Sequence, residues 1–128
     1  MKKFIFLAKR REGMTHEQFR EHYENSHAQL ALKHFGKLLI NYRRNYVRHV
    51  SGIPTPTGAP SVAPDFDYDV ITEFTLIDDA AHAEWERLVG DPELSLILAE
   101  DEARFIDRKD FLMIDCEEVD TGTTFHPS

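Results

Sequence analysis

The sequence predicts an α+β domain of the ferredoxin-like class, with the element order βαββαβ and a four-stranded antiparallel sheet that carries its helices on one face. Three observations lead to this class. Apolar residues alternate with a period of two in four separate segments, as in half-buried strands. Two longer stretches between these segments have apolar residues at helical spacing. A proline-rich stretch, residues 51–66, separates the second strand-like segment from the third.

The first half of the chain is predicted to form a strand, a helix and a second strand. Residues 3–9 alternate as a strand, and residues 38–50 do so again. Between them, Thr15 and Gln18 fit a capping box, which predicts a helix from about His16 to Lys33. The face of this helix that meets the sheet is predicted to contain Phe19, Tyr23, Ser26, His27, Leu30 and His34.

The second half of the chain repeats this order after a long loop. Residues 51–66 hold four prolines and are predicted to form a loop that acts as a lid. Residues 68–76 alternate as the third strand, and a helix is predicted to begin at Asp78-Asp79. After an interruption at Gly90-Asp91-Pro92, a second helical piece precedes the last strand, residues 110–118. We therefore expect one domain over residues 1–119 and a flexible tail, residues 120–128.

Composition argues against several classes of protein. The chain has 128 residues, of which 23 are acidic and 15 basic, and its formal net charge is −8. This excess of acid argues against a nucleic-acid partner. No apolar run approaches the ~18 residues of a membrane span, so no membrane partner is expected. The single cysteine, Cys116, rules out an intramolecular disulfide framework and a cysteine-based zinc site. A cytoplasmic protein is the expectation.

The predicted sheet has a second face that the helices leave uncovered. The first and last strands are expected to be its central pair, and both carry apolar side chains on their two faces. A contiguous exposed patch of that kind favours association. We therefore expect a homodimer that packs sheet to sheet, a dimeric α+β barrel. The alternative is that the tail or the proline-rich loop covers this face, but neither is as apolar.

His27 is the first candidate catalytic residue. It lies midway along the predicted helix, on the face expected to meet the sheet, where both ring nitrogens need partners. Tyr23 lies four residues earlier, and the second strand offers Tyr46 or Asn45, depending on which of its faces points to the helix. An imidazole, phenols and an amide around an apolar pocket suit proton transfer to a hydroxylated ligand. The alternative is a core histidine whose hydrogen bonds are merely satisfied.

Two further residues are candidates for substrate binding. Trp85, on the second predicted helix, is expected in the core or in the wall of a pocket. Glu73 alternates with Phe74 in the third strand. Facing the helices, it would be a buried carboxylate with a raised pKa, and facing a partner chain it would form an ion pair. The seven histidines lack the spacing of a helical metal motif, so no metal is expected.

The segment AKRREGMTHEQFREHYENSH, residues 8–27, resembles the opening of EthD-domain proteins. The family typically has a basic end to its first strand and a turn of glycine, a hydrophobic residue and Ser or Thr. A phenylalanine follows in the first helix, then an aromatic residue and, four residues later, a histidine. The matching positions are Gly13, Met14, Thr15, Phe19, Tyr23 and His27. Tyr23 stands where tryptophan is commoner, and residues 41–47 and 101–107 resemble later landmarks.

This resemblance implies a dimeric α+β barrel with a ligand cavity between helices and sheet, and it implies that His27 is a pocket acid or base. Fungal relatives resemble cofactor-free dehydratases of polyketide tailoring. We therefore expect an enzyme without cofactors that performs proton-transfer chemistry of the dehydratase, isomerase or lyase type. Its expected substrate is an aromatic or polycyclic hydroxylated small molecule of a catabolic or polyketide-type pathway.

Residue roles follow from this expectation. His27 is expected to move the proton, and Tyr23 and Tyr46 to hold the oxygen of the ligand, whereas Asn45, Trp85 and Glu73 are expected to bind substrate. The first alternative is a non-catalytic carrier that binds a small apolar ligand for a degradation pathway. A further alternative, haem binding through His27 or His34, has no other support in the sequence.

Overall fold

A computed structural model describes residues 1–58 and 65–123 of the chain. Its strands are β1 (Lys2–Ala8), β2 (Leu39–Tyr46), β3 (Val70–Leu76) and β4 (Leu112–Glu117). Its α-helices are α1 (His16–His22), α2 (Ala28–Phe35), α3 (Asp79–Val89) and α4 (Pro92–Glu102), with a π-helical segment, Tyr23–His27, between α1 and α2. Two short 3₁₀ turns, Gly36–Leu38 and Arg108–Asp110, precede β2 and β4.

The four strands form one antiparallel sheet in the order β2-β3-β1-β4. The predicted α+β class and the four-stranded antiparallel sheet are thus confirmed. The expectation that the first and last strands form the central pair is wrong, because β1 and β3 lie in the centre and β4 lies at an edge. The two strands of each strand-helix-strand unit are not neighbours in the sheet. β3 lies between β1 and β2, and β1 lies between β3 and β4.

The first helix begins where the capping box predicts. The backbone N–H of Gln18 donates to Thr15 Oγ1 at 3.1 Å, and the backbone N–H of Thr15 donates to Gln18 Oε1 at 2.9 Å. Two of the orphan donors at the start of the helix are thereby satisfied. The helical conformation then continues through the π-helical segment to Phe35, two residues beyond the predicted end.

The π-helical segment keeps one stripe of side chains on the sheet. In an α-helix, each step of four residues rotates a side chain about 40° around the axis. The wider π turn, in which the backbone N–H of Ala28 bonds to the carbonyl of Tyr23, counteracts that rotation. Residues at a spacing of four are consequently buried along the whole helix, namely Phe19, Tyr23, His27, Ala31 and Phe35. The predicted positions Leu30 and His34 are only half-buried.

The helices pack on one face of the sheet. One cluster of the core joins Trp85 and Phe35 from helices to Phe4 and Phe74 from strands. A second cluster, around Phe19, Tyr23, Val70 and Phe105, lies towards the other end of the sheet. The helix predicted at Asp78-Asp79 begins there, since the Asp78 side chain accepts the backbone N–H of Ala81 at 2.8 Å.

The other face of the sheet carries a band of apolar side chains across three strands. The strand register pairs Leu7 of β1 with Ile71 of β3 and with Leu112 of β4, and it pairs Ile5 of β1 with Ile114 of β4. Leu112 and Ile114 are 45% and 42% exposed.

Two predicted segments differ from the structure or are only partly described. The second strand ends at Tyr46 rather than near residue 50, and residues 47–58 follow without a further strand. Within the predicted loop 51–66, residues 59–64 lie outside the described residues, as do residues 124–128 of the predicted tail.

Candidate functional site

A cavity of about 340 Å³ lies between the helices and the sheet. Its volume is at the lower end of the range for small-molecule sites. Most of its wall is apolar and rich in aromatic rings, which come from both clusters of the core; these rings are Phe6, Phe35, Phe74, Trp85 and Phe111. The polar groups on the wall include the side chains of Tyr23, His27, Tyr42, Thr72, Glu102 and Arg108.

His27 lies on the wall of this cavity, with 8% of its surface exposed. Its Nδ1 lies 2.9 Å from Asp101 Oδ2, and because an ionised carboxylate can only accept, Nδ1 carries the proton. In the neutral ring, Nε2 is therefore the free acceptor. Burial lowers the pKa of His27, and the hydrogen bond to Asp101 opposes that change only in part. The imidazole is thus predominantly neutral at pH 7.

Asp101, at the end of α4, is buried and accepts several hydrogen bonds. Besides His27, its carboxylate accepts from His22 Nε2 at 3.1 Å and from Ser26 Oγ at 2.9 Å. An ion pair at 3.3 Å adds Arg104. Burial raises the pKa of Asp101, but the hydrogen bonds from Ser26, His27 and His22 outweigh it and leave the pKa below its ordinary value. The carboxylate is therefore ionised and fixes the ring of His27.

Glu102 lies on the other side of the same imidazole. Its Oε2 is 3.9 Å from His27 Nε2, and its Oε1 is 3.7 Å from the guanidinium of Arg108. Burial raises the pKa of Glu102 to about 7, against the opposing charge of Arg108. A carboxyl group in this state can hold or release a proton near neutral pH.

Three hydroxyl groups form a chain in the cavity wall. The Tyr42 hydroxyl donates to the Tyr23 hydroxyl at 3.4 Å, and the Tyr23 hydroxyl lies 2.7 Å from Thr72 Oγ1. Burial raises the pKa of Tyr23 and of Tyr42, so both phenols stay protonated. Because the bond between the two tyrosines is long, the Tyr42 proton is the one most readily redirected to an oxygen in the cavity.

Of the expected site residues, the structure brings His27, Tyr23 and Trp85 to this cavity. Trp85 is 6% exposed, lines the wall and stacks on Phe4 with ring centroids 4.2 Å apart. Tyr46 projects from the same face of β2 as Tyr42, but its hydroxyl donates to Glu24 at 2.5 Å and it lies outside the cavity wall. Tyr42, rather than Tyr46, is therefore the tyrosine of β2 that lines the cavity.

Asn45 and Glu73 lie on the opposite face of the sheet, away from the cavity. Asn45 Nδ2 donates to Glu73 Oε2 at 3.0 Å, and Lys3 Nζ lies 2.8 Å from Glu73 Oε1. These bonds, that from Lys3 first, lower the pKa of Glu73, so the raised pKa considered for a helix-facing carboxylate does not occur. Neither side chain lines the cavity, because strand alternation directs both outward, and their expected role in substrate binding stays a prediction.

Sequence reasoning missed Asp101, Glu102 and Tyr42. Asp101 had a signal, because it occupies a position in the apolar stripe of its helix, and a carboxylate there must be buried with partners. Glu102 lies next to it, and only the packing of α4 against the π-helical segment shows that the two carboxylates flank one ring. The described part of the predicted lid, residues 51–58 and 65–66, does not line the cavity.

The described residues contain neither a metal-binding cluster nor a helix that could span a membrane. Over residues 1–58 and 65–123, no group of three or more His, Cys, Asp or Glu side chains is arranged to hold a metal ion. Within those same ranges, no helix has the length and apolar character needed to cross a membrane.

Comparison with solved structures shows the same fold in several proteins. An EthD family protein from Bacillus halodurans is 22% identical, covers 93% of this chain and 99% of its own, and superposes with a TM-score of 0.59. At3g17210 from Arabidopsis thaliana is 17% identical, with coverages of 96% and 100% and a TM-score of 0.60. HapK from Hahella chejuensis is 11% identical, with coverages of 98% and 100% and a TM-score of 0.57. A comparison with curated proteins found no match.

The family itself is shown by a different comparison. The family model of the EthD domain matches residues 11–109, which is more than three quarters of the chain. The matched region contains the cavity-lining helices, His27 and the pair Asp101–Glu102. This protein belongs to the EthD-domain family.

Proposed function

We propose that this protein is a cofactor-independent enzyme that transfers a proton on an aromatic or polycyclic hydroxylated small molecule, in a reaction of the dehydratase, isomerase or lyase type. The observation that carries the proposal is the 2.9 Å bond between His27 Nδ1 and the buried carboxylate of Asp101, on the wall of an apolar cavity. This bond selects the tautomer whose Nε2 is a free base.

The electrostatics of the site support a general base. The pKa of His27 is lowered by burial, so the ring is ready to accept a proton at pH 7. When it does so, the adjacent carboxylate of Asp101 stabilises the imidazolium. Proton transfer by a positioned side chain of this kind contributes about 10²–10⁴-fold to a rate.

The remainder of the cavity suits a flat ligand that carries an oxygen. Five phenylalanine and tryptophan side chains supply faces and edges for a ring system. The Tyr42 hydroxyl, supported by Tyr23 and Thr72, is positioned to donate to a carbonyl or hydroxyl oxygen. A donor at that oxygen stabilises the enolate formed when the base removes a neighbouring proton.

The proposal is tested with α-tetralone, a bicyclic aromatic ketone, in deuterium oxide. Enzyme-catalysed exchange of its α-protons, followed by NMR, reports proton removal without a second reaction. His27→Ala should lower the exchange rate at least ~100-fold while the circular dichroism spectrum stays unchanged. His34→Ala is the matched control, because His34 is half-buried on the same helix and lies outside the cavity wall.

Two results would contradict this function. Exchange that survives in His27→Ala would remove the imidazole from the mechanism. Tight binding of α-tetralone by the wild-type protein and by His27→Phe, with no exchange in either, would favour the carrier alternative.

We also propose that the protein is a homodimer that packs through the open faces of its sheets. The support is the apolar band of β1, β3 and β4, in which Leu112 and Ile114 are exposed in the single chain. Ile114→Arg should convert the sedimenting species from dimer to monomer. Leu96→Arg, at an exposed position of α4, should leave the dimer intact. A wild-type protein that sediments as a monomer at micromolar concentration would contradict the proposal.

A further inference from the structure

Two neighbouring carboxyl groups lie near the two ring nitrogens of one imidazole. Asp101 contacts His27 Nδ1 at 2.9 Å, and Glu102 Oε2 lies 3.9 Å from His27 Nε2. The two differ in their surroundings, because Asp101 lies behind the ring among four donors, whereas Glu102 lines the cavity beside the free nitrogen. Only Glu102 is therefore placed to contact a ligand together with Nε2.

We propose that Glu102 is the general acid that works with His27, and that the substrate is a β-hydroxy ketone fused or attached to an aromatic ring, which the enzyme dehydrates. The inference rests on the proposed function of His27 as base. It adds a second catalytic residue and selects one reaction and one substrate class from those the cavity suits.

The reaction balances without any cofactor. His27 Nε2 takes the proton from the carbon between the carbonyl and the carbinol carbon, and the electrons of that C–H bond form the new C=C bond. The C–O bond breaks, its electron pair leaves with the hydroxyl oxygen, and that oxygen takes the proton of Glu102 to leave as water. The site then holds an imidazolium and a carboxylate 3.9 Å apart. Transfer of the proton from Nε2 to Glu102 restores both groups.

The protonation states support this division of roles. Glu102 has a pKa raised to about 7 by burial, whereas the pKa of His27 is lowered by burial. A carboxylic acid and a neutral imidazole therefore coexist in one cavity near neutral pH, which is the arrangement that separates acid from base. The charged groups that face Glu102 are Arg108, on the 3₁₀ turn before β4, and Asp101, on its own helix.

Arg108 lies beside the carboxyl oxygen of Glu102 that does not face His27. Its guanidinium lies 3.7 Å from Oε1, which leaves Oε2 as the atom that faces the imidazole. Because the guanidinium side chain is 52% exposed, solvent screens its charge. Its charge therefore lowers the pKa of Glu102 too little to offset the effect of burial.

The test compares two reactions of two related probes. The first is α-proton exchange of α-tetralone, which needs the base but no acid, because no hydroxyl group leaves. The second is the dehydration of a derivative of α-tetralone that carries a hydroxyl group on the carbon β to the carbonyl. This compound loses water to give α-naphthol, which is followed by its fluorescence. Wild-type protein, Glu102→Gln and His27→Ala are assayed for both, because the amide of glutamine keeps the shape of the side chain but cannot supply the proton.

The proposal predicts a split between the two reactions. Glu102→Gln should lose at least ~100-fold in the dehydration rate, a loss at least ~10-fold greater than its loss in the exchange rate, whereas Glu100→Gln, at an exposed position of the same helix, should keep both rates. His27→Ala should lose both reactions. Glu102→Asp, which keeps an acid on a shorter side chain, should recover part of the dehydration rate and also serves if the glutamine variant does not fold.

Other outcomes overturn the inference, and they can be told apart. If wild-type protein catalyses exchange and Glu102→Gln dehydrates as fast as wild type, Glu102 is not the acid, whereas the proposed function of His27 stands. If Glu102→Gln loses exchange and dehydration equally, Glu102 merely maintains the site. If the wild-type protein catalyses neither reaction, both the proposed function and this inference fail.

Discussion

The substitution Glu102→Gln also gives a prediction about stability that needs no substrate. Glu102 is partly buried beside His27, with 14% of its side chain exposed, and burial raises its pKa from 4.5 to about 7. The folded chain therefore binds this proton more tightly than the unfolded chain does. The stabilisation from Glu102 is present in full below the unfolded pKa, near 4.5, and is lost as the pH rises to about 7.

The size of the effect follows from the two pKa values. A change from 4.5 to about 7 corresponds to roughly 3 kcal/mol of unfolding free energy. Wild-type protein loses this amount between those pH values, and Glu102→Gln, which cannot ionise, does not. The variant should thus gain roughly 3 kcal/mol relative to wild type over that interval. His27 titrates in both chains, so most of its contribution cancels in the difference.

The measurement is urea denaturation of both chains, followed by circular dichroism, at a series of pH values from 4 to 8. The difference in unfolding free energy between the two chains should change by this amount between pH 4.5 and about 7, and it should level off above pH 7. Glu100→Gln is the matched control, because it makes the same chemical change at an exposed position of the same helix. A difference between Glu102→Gln and wild type that does not vary with pH, or that varies with the opposite sign, would refute the raised pKa of Glu102.

Three further predictions follow from the cavity. Asp101→Asn should move the ring proton of His27 to Nε2, seen by ¹⁵N NMR, and slow exchange of α-tetralone at least ~100-fold; an unchanged tautomer contradicts it. Tyr23→Phe should cost about 1 kcal/mol in urea denaturation, because Thr72 loses its partner; no change would mean the bond contributes nothing. Trp85→Ala should cost about 3–5 kcal/mol by the same measurement, and a loss below about 1 kcal/mol would show that the ring is not packed as described.

Local chemistry was enough to predict the elements of the fold. Thr15 and Gln18 satisfy backbone donors three residues away, so the start of the first helix can be predicted from neighbouring residues alone. Period-two alternation likewise predicts that Phe4 and Phe6 share one face of β1, and both pack with the core beneath the helices.

Alternation could not determine which face of β2 meets the helices. Tyr42 and Tyr46 share a face, and that face points to the helices, whereas Asn45 is on the other. A shift of one residue in strand register exchanges the two faces, and only the pairing of β2 with β3 fixes it. The selection of Tyr42 over Tyr46 then depends on where the cavity lies along the strand.

The amino-acid sequence by itself determined the class of fold, the order of its elements and the place of His27 on the buried face of the first helix, because each depends on residues a few positions apart. The tertiary structure alone decided what surrounds that imidazole. Asp101 lies 74 positions further along the chain, Glu102 follows it on α4, and Tyr42 reaches the cavity from β2. Contacts at such separation depend on how the helices pack across the sheet, and no spacing within one segment encodes that geometry.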